Sequence, residues 1–167
     1  MSTWNEHRIN LYSDTQTRPT PQMRQVIGAA EVGDEQRGQD PSVNKLCEQT
    51  AELLGKESAV FLPSGTMCNE IAILVHCRPG DEIYAHHTAH VLTAEAGGPA
   101  ALAGVQVCPL EGARGHYQAE NLSAAIRWEG RCSLTARMVL VEQTSNGGGG
   151  TVWPLEQIQQ VADVARE

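Results

Sequence analysis

Residues 57–77 read ESAVFLPSGTMCNEIAILVHC, and the rest of the chain is arranged around them. Ala59-Val60-Phe61-Leu62 is short, wholly apolar and closed by Pro63, the pattern of a strand covered on both faces. Ser64-Gly65-Thr66 follows, and then Met67, Cys68, Ile71, Ala72, Ile73, Leu74 and Val75 lie along a segment apolar nearly all round. Such a helix is expected to be buried. The junction therefore predicts strand, tight turn, helix. The first N–H groups of a helix lack partners and its dipole leaves that end positive, so hydroxyls flanking a glycine there suit a phosphate. The same residues also serve as an ordinary cap and turn. The lysine and spacer of a nucleotide P-loop are absent, which argues against a nucleoside triphosphate.

The 167 residues suffice for one domain with a real core, and 41% hydrophobic against 19% charged residues is a globular composition. A net charge of −8 without a basic run argues against nucleic acid or an anionic membrane as partner. The start, MSTWNEHRIN, has neither the basic residues nor the apolar stretch of a secretory signal. No apolar run approaches the ~20 residues that cross a bilayer. Cys47, Cys68, Cys77, Cys108 and Cys132 are odd in number, lie mostly in apolar segments and form no CxxC pair. They read as reduced core residues of a cytoplasmic protein rather than zinc ligands or disulfides.

Thr20-Pro21 and Asp40-Pro41 are helix starts, a capping residue followed by proline at the first helical position. Met23, Val26, Ile27 and Ala30 follow the first, and Val43, Leu46, Cys47, Leu53 and Leu54 the second, with Gly55 closing it. Further on, strands are predicted at 82–85, 105–110 and 137–142, and helices at 119–128 and from Trp153-Pro154 onward. Strands separated by helices predict a mostly parallel α/β sheet with helices on both faces. The chain stops in or just after a helix that should deliver a further strand, so the sheet is expected to be incomplete.

Ligands of open α/β sheets bind beyond the carboxyl ends of the strands. Ser64-Gly65-Thr66, His86-His87-His90 and Thr144-Ser145-Asn146 each follow a predicted strand, and together they predict one site. His86 and His90 have the i, i+4 spacing of a metal pair if helical, but no third ligand is evident, and no metal is assigned. A histidine there can instead stack on an aromatic ligand or move a proton. The small-residue run Glu95-Ala96-Gly97-Gly98-Pro99 lets backbone approach a neighbour closely. Gly147 to Gly150 read as a flexible connection, with an anion-binding nest as the alternative. Lys45 and Lys56 read as solvated surface charges, not as nucleophiles.

The motifs LYSDTQTRPT, VGDEQRGQDPSVNKL, ELLGKESAVFLPSGTMCNEIAI, HTAHVLTAEAGGPAAL and VEQTSNGGGGTVWPLE together resemble the low-specificity L-threonine aldolases. These are pyridoxal 5'-phosphate (PLP) enzymes of the β-eliminating lyase group, with the aspartate-aminotransferase-like fold. The resemblance implies that residues 1–167 are the N-terminal portion of the large catalytic domain, with the small C-terminal domain absent. It implies that Gly65 and Thr66, with the backbone around Ser64 and Met67, hold the cofactor phosphate. His90 would lie against the cofactor ring near the substrate hydroxyl, and Ser13 would bind the substrate carboxylate. Glu95 and Arg18 stand in motifs near the site without an assigned role. The implied reaction cleaves a β-hydroxy-α-amino acid to glycine and an aldehyde, in a homo-oligomer that uses groups from two subunits.

Departures from the pattern are also visible. The aspartate opposite the pyridine nitrogen, its neighbouring arginine and the Schiff-base lysine have no counterpart here, so this chain alone is expected to be inactive. Arg37 stands where many members carry tyrosine, and Cys132 where a histidine is frequent. Two other readings remain at this point. One is a non-enzymatic chain that binds a phosphate ligand weakly or pairs with a full-length subunit. The other is a phosphate-sugar or nucleotide-binding α/β domain.

Overall fold

The computed structural model describes residue 9, residues 11–127 and residues 130–167. Apart from Ile9, the N-terminal segment read for a signal lies outside the described residues, as does the predicted helix end at Trp128. The chain divides into two units, Met1–Phe61 and Leu62–Glu167.

In the first unit, Thr20 and Asp40 cap helices α1 (Pro21–Ala29) and α2 (Pro41–Leu54) as their sequences predict. The Asp40 carboxylate accepts from the N–H groups of Ser42 and Val43 at 3.0 Å each and of Gly33 at 3.1 Å. These donors, Val43 first, hold its pKa below the ordinary carboxylate value. Gly55 ends α2 in the left-handed conformation, φ 61°. The predicted apolar stripes exist but are uncovered: neither helix has a buried residue.

The second unit holds a sheet of three parallel strands in the order β2-β1-β3. Its elements are α3 (Gly65–His76), β1 (Asp81–His86), α4 (His90–Thr93), a π-helical turn (Pro99–Ala103), β2 (Gln106–Leu110), α5 (Ala119–Ala125), β3 (Thr135–Val139) and α6 (Leu155–Arg166). The parallel α/β class is as predicted. Every residue of β1 is buried, because it has a strand on each edge and helices on each face. Alternation along the strand sorts the core. Ile83 packs with Ile73, Cys77, Ala103 and Val105 under α3, while Tyr84 packs with Leu110, Tyr117, Leu122, Trp153 and Val161 under α5 and α6. Pro109 is tolerated in β2 because that strand lies at an edge.

Several expectations are corrected. Residues 59–62 form no strand; Val60 and Phe61 are exposed, because no described strand lies beside them to supply a hydrogen-bonded ladder. Helix α3 begins where predicted but buries only Glu70 and Ile73, since the sheet covers one of its faces and nothing described covers the rest. The third strand starts two residues earlier than predicted and ends at Val139. Cys68 and Cys132 are exposed rather than core residues.

The glycine run is not a slack connection either. Ser145 and Thr151 form an antiparallel bridge, and the turn between them is closed by Gly150 N–H to the Ser145 carbonyl at 2.8 Å and Gly149 N–H to the Asn146 carbonyl at 2.9 Å. Gly149 and Gly150 take φ of 87° and 77°, which side chains resist. A Cβ on Gly147 would stand 2.7 Å from Thr88 Cβ. We therefore expect Gly147→Ala to cost on the order of 1–3 kcal/mol. By contrast Gly28→Ala, in α1 with nothing within 4 Å, is expected to gain up to about 1 kcal/mol. Denaturant midpoints of the two variants check both signs.

Candidate functional site

A cavity of about 80 Å³ opens beyond the carboxyl ends of β1 and β3, lined by Asn69, Ala89, His90, Val91, Leu140, Val141 and Glu142. Its place follows from topology. The chain leaves β1 for β2 on one side and later returns to β3 on the other, so connections diverge at the β1–β3 boundary. That divergence is where doubly wound sheets leave a crevice.

The loops that wall the crevice are tied by charge-assisted hydrogen bonds. The Glu142 carboxylate accepts from the backbone N–H of His90 through Oε2 and of Asn146 through Oε1, both at 2.7 Å. His90 opens α4, and its ring Nδ1 lies 2.7 Å from Glu95 Oε1. Asn69 Nδ2, from the second turn of α3, donates to the same oxygen at 2.7 Å. Ala96 takes a φ of 52° directly after Glu95, turning the chain there so that the carboxyl group can meet α3. From below, the buried Tyr117 hydroxyl donates to the Leu140 carbonyl at 2.8 Å. Burial pushes that phenol's pKa upward.

The predicted residues divide by fate. His90 lines the crevice. His86 is the last residue of β1 and is buried: Thr88 N–H donates to its Nδ1 at 3.1 Å, and its Nε2 faces the Gly112 carbonyl at 3.2 Å. The i, i+4 premise fails because residues 87–89 are a turn, so His86 and His90 share no helix face. His87 is exposed beside Glu111 at 3.3 Å. Ser145 is buried within the glycine turn, its hydroxyl accepting from Gly148 N–H at 3.2 Å.

Ser64 caps α3, but its hydroxyl is already engaged by Met67 N–H at 3.1 Å, and Cys68 N–H bonds the Ser64 carbonyl at 3.1 Å. The donors left pointing outward at that end are the N–H groups of Gly65 and Thr66. A Cβ on Gly65 would meet nothing within 4 Å, so the approach to them is open. Residues 64–66 lie at one end of the helix whose next turn carries Asn69, so α3 links this donor set to the His90 network.

Ser13 belongs to the first unit, where it caps the turn Asp14–Gln16 and bonds Thr15 Oγ1 at 2.8 Å. Arg37, also there, pairs with Asp34 at 3.5 Å. Sequence reasoning misses Asn69, Glu70 and Glu142. Glu142 has a signal, since it closes a predicted strand in front of a polar cluster. Asn69 and Glu70 have none, because a polar pair within an apolar helix looks like its solvent side.

Residues 10–167 match the family described as beta-eliminating lyase. The chain belongs to that family. Curated relatives include the low specificity L-threonine aldolase of Escherichia coli K12, 38% identical over 95% of this chain and 47% of its own length. Another is the low-specificity L-threonine aldolase 1 of Arabidopsis thaliana, 35% identical over 95% of this chain and 45% of its own length. This beta-eliminating lyase chain thus spans about half the length of the relatives it matches. Its fold resembles that of a Leishmania major threonine aldolase structure, TM-score 0.72 at 21% identity, over 87% of this chain and 42% of that one.

Glu142 is the tie most open to test. A hydrogen bond to a charged group is worth ~1.5–3 kcal/mol, so Glu142→Ala should speed amide exchange at His90 and Asn146 roughly ten- to hundredfold. Exchange in the core of β1 should stay slow, as read by deuterium incorporation.

Proposed function

We propose that this chain builds part of the active site of a PLP-dependent lyase that cleaves β-hydroxy-α-amino acids of the threonine or allo-threonine type to glycine and an aldehyde. The observation that carries the reading is the crevice between β1 and β3, with a proton-handling histidine at its wall and an open helix start on the adjoining α3. The relatives named threonine aldolases supply the substrate class.

The residues present fit such a cofactor. The Gly65 and Thr66 N–H groups and the positive end of the 12-residue α3 suit a phosphate dianion. His90, tied to the same helix through Glu95 and Asn69, presents an aromatic ring suited to a flat heteroaromatic ring. When bound, PLP supplies an electron sink for the pair left at the amino acid's α-carbon.

The protein's share is positional and acid–base. Glu95 holds Nδ1 of His90, so in the neutral ring Nε2 carries the lone pair and can take up the β-hydroxyl proton. Glu142 fixes the backbone that carries the ring. Ser13 is assigned to the substrate carboxylate, as the resemblance implies. Lys45 and Lys56 are exposed members of the first unit, and neither is given the tethering role. That lysine is supplied from outside these residues, the 167 residues alone are inactive, and the working enzyme is a homo-oligomer in a reducing, cytoplasmic setting that suits five free cysteines.

A second reading, simple phosphate binding at α3, differs in forecasting that inorganic phosphate shifts the melting temperature as much as PLP does. PLP should raise the melting temperature of the chain while pyridoxal, without the phosphate, should not, and Thr66→Pro should abolish the shift. L-allo-threonine with PLP should release no glycine at an enzymatic rate. An equal shift from inorganic phosphate would favour the second reading, and no shift from PLP would overturn the first.

A further inference from the structure

Two glutamates are buried behind the crevice, and the proposed reaction uses neither directly. The Glu95 side chain is 0% exposed and Glu70 is 6% exposed. Glu95 Oε1 accepts from Asn69 and lies 2.7 Å from His90 Nδ1, whereas Glu95 Oε2 and both oxygens of Glu70 have no hydrogen-bond partner. Gly98 presses its backbone against the Glu70 carboxyl, leaving no room for a side chain.

We propose that Glu95 is the positioning residue of His90, and that Glu70 and Glu95 hold a single proton between them, seated on Glu70. The inference rests on the reading that His90 handles the substrate proton.

The charge balance requires something of this kind. Two adjacent buried carboxylates cannot both ionise unless cations offset them. The groups facing the pair are Asn69 on α3 and His90 on α4, together with the Gly98 backbone. The π-helical turn at Pro99–Ala103 brings no titratable side chain. Glu142 reaches the His90 backbone N–H rather than its ring. Among the described residues no arginine or lysine pairs with either glutamate.

A proton on Glu70 makes it a donor to Glu95, which satisfies Glu95 Oε2 and one of the two Glu70 oxygens. Glu95 Oε1 already meets Asn69 and His90 while neither Glu70 oxygen has a partner, so the proton is assigned to Glu70. Burial first, and then the neighbouring Glu95, raise the Glu70 pKa above its ordinary 4.5. The arrangement gives His90 an anion to donate to, which sets the Nδ1–H tautomer and leaves Nε2 as the base.

The sign of the pH effect follows. Glu70 keeps its proton to a higher pH in the folded chain than in the unfolded one. Above the ordinary carboxylate range the folded state therefore binds more protons, and stability falls as pH rises until Glu70 ionises.

The test is NMR of the 167-residue chain without cofactor, so its outcome is independent of PLP binding and of glycine release. Long-range nitrogen–proton spectra should show His90 protonated at Nδ1 and bare at Nε2 when neutral. Carboxyl-labelled glutamate should show one side chain titrating above the ordinary range. Glu70→Gln should remove that titration and the loss of stability with rising pH, yet leave the His90 tautomer unchanged. Glu95→Ala should return His90 to a tautomer mixture.

A His90 tautomer unmoved by Glu95→Ala would overturn the positioning role. Ordinary titration of every glutamate in the unmodified chain would overturn the shared proton. If Glu95→Ala does not fold, the unmodified chain and Glu70→Gln still decide: a neutral His90 bare at Nδ1 in either would sink the proposal. A chain that binds no PLP but passes these tests would fail the functional reading alone.

Discussion

The rest of the second unit depends on the complete enclosure of β1. A strand with neighbours on both edges and helices on both faces has no solvent to satisfy its polar groups, so each must find a partner at one of its ends. At the amino end, Asp81 accepts from Arg78 N–H at 2.8 Å and pairs with Arg137 at 3.3 Å. Glu82 takes the Tyr84 hydroxyl at 2.7 Å, with Arg127 at 3.7 Å. Burial and that carboxylate together drive the Tyr84 phenol's pKa upward. At the carboxyl end, His86 uses both ring nitrogens on Thr88 and Gly112. The strand's own polar residues are therefore committed to structure, and the candidate site is left to the residues just beyond it.

That division explains what could be read from the sequence. The apolar periodicity, helix caps and strand-to-helix alternation at 20–21, 40–41 and 82–86 follow local rules, and the structure obeys them. The apolar run 59–62 does not, because a strand exists only if another strand lies beside it, and periodicity cannot say whether one does. The same limit explains α3: its composition calls for burial all round, while the elements present cover a single face. In the glycine run, composition alone suggests slack, but Thr88 and Arg114 close on Gly147 and Gly148. Close approach by distant residues has no local signature.

The candidate site was legible in part for the same reason. His90 could be named because it stands after a strand, and residues 64–66 because they open a helix. The partners that hold His90 come from elsewhere in the chain. Asn69 reaches Glu95 across 26 residues and Glu142 reaches His90 across 52. Sequence order hides both. It likewise hides that the three neighbouring histidines have three fates, a sealed strand end, an exposed position beside Glu111 and a crevice wall.

These long-range ties also bear on precision. The proton-handling role proposed for His90 asks for a fixed ring, since small misplacements of such a group are costly. Helix α4 has only four residues and cannot hold His90 by its own hydrogen bonds. Its backbone is anchored instead to the segment after β3 through Glu142, and its ring to α3 through Glu95 and Asn69. The Glu142 carboxylate bridges the two walls of the crevice, and Gly147 packed on Thr88 bolts them a second time. Opening the crevice would therefore break charge-assisted bonds on the strand side and expose the buried glutamates on the helix side. Both costs fall together, so the ties on the two sides of the crevice reinforce each other.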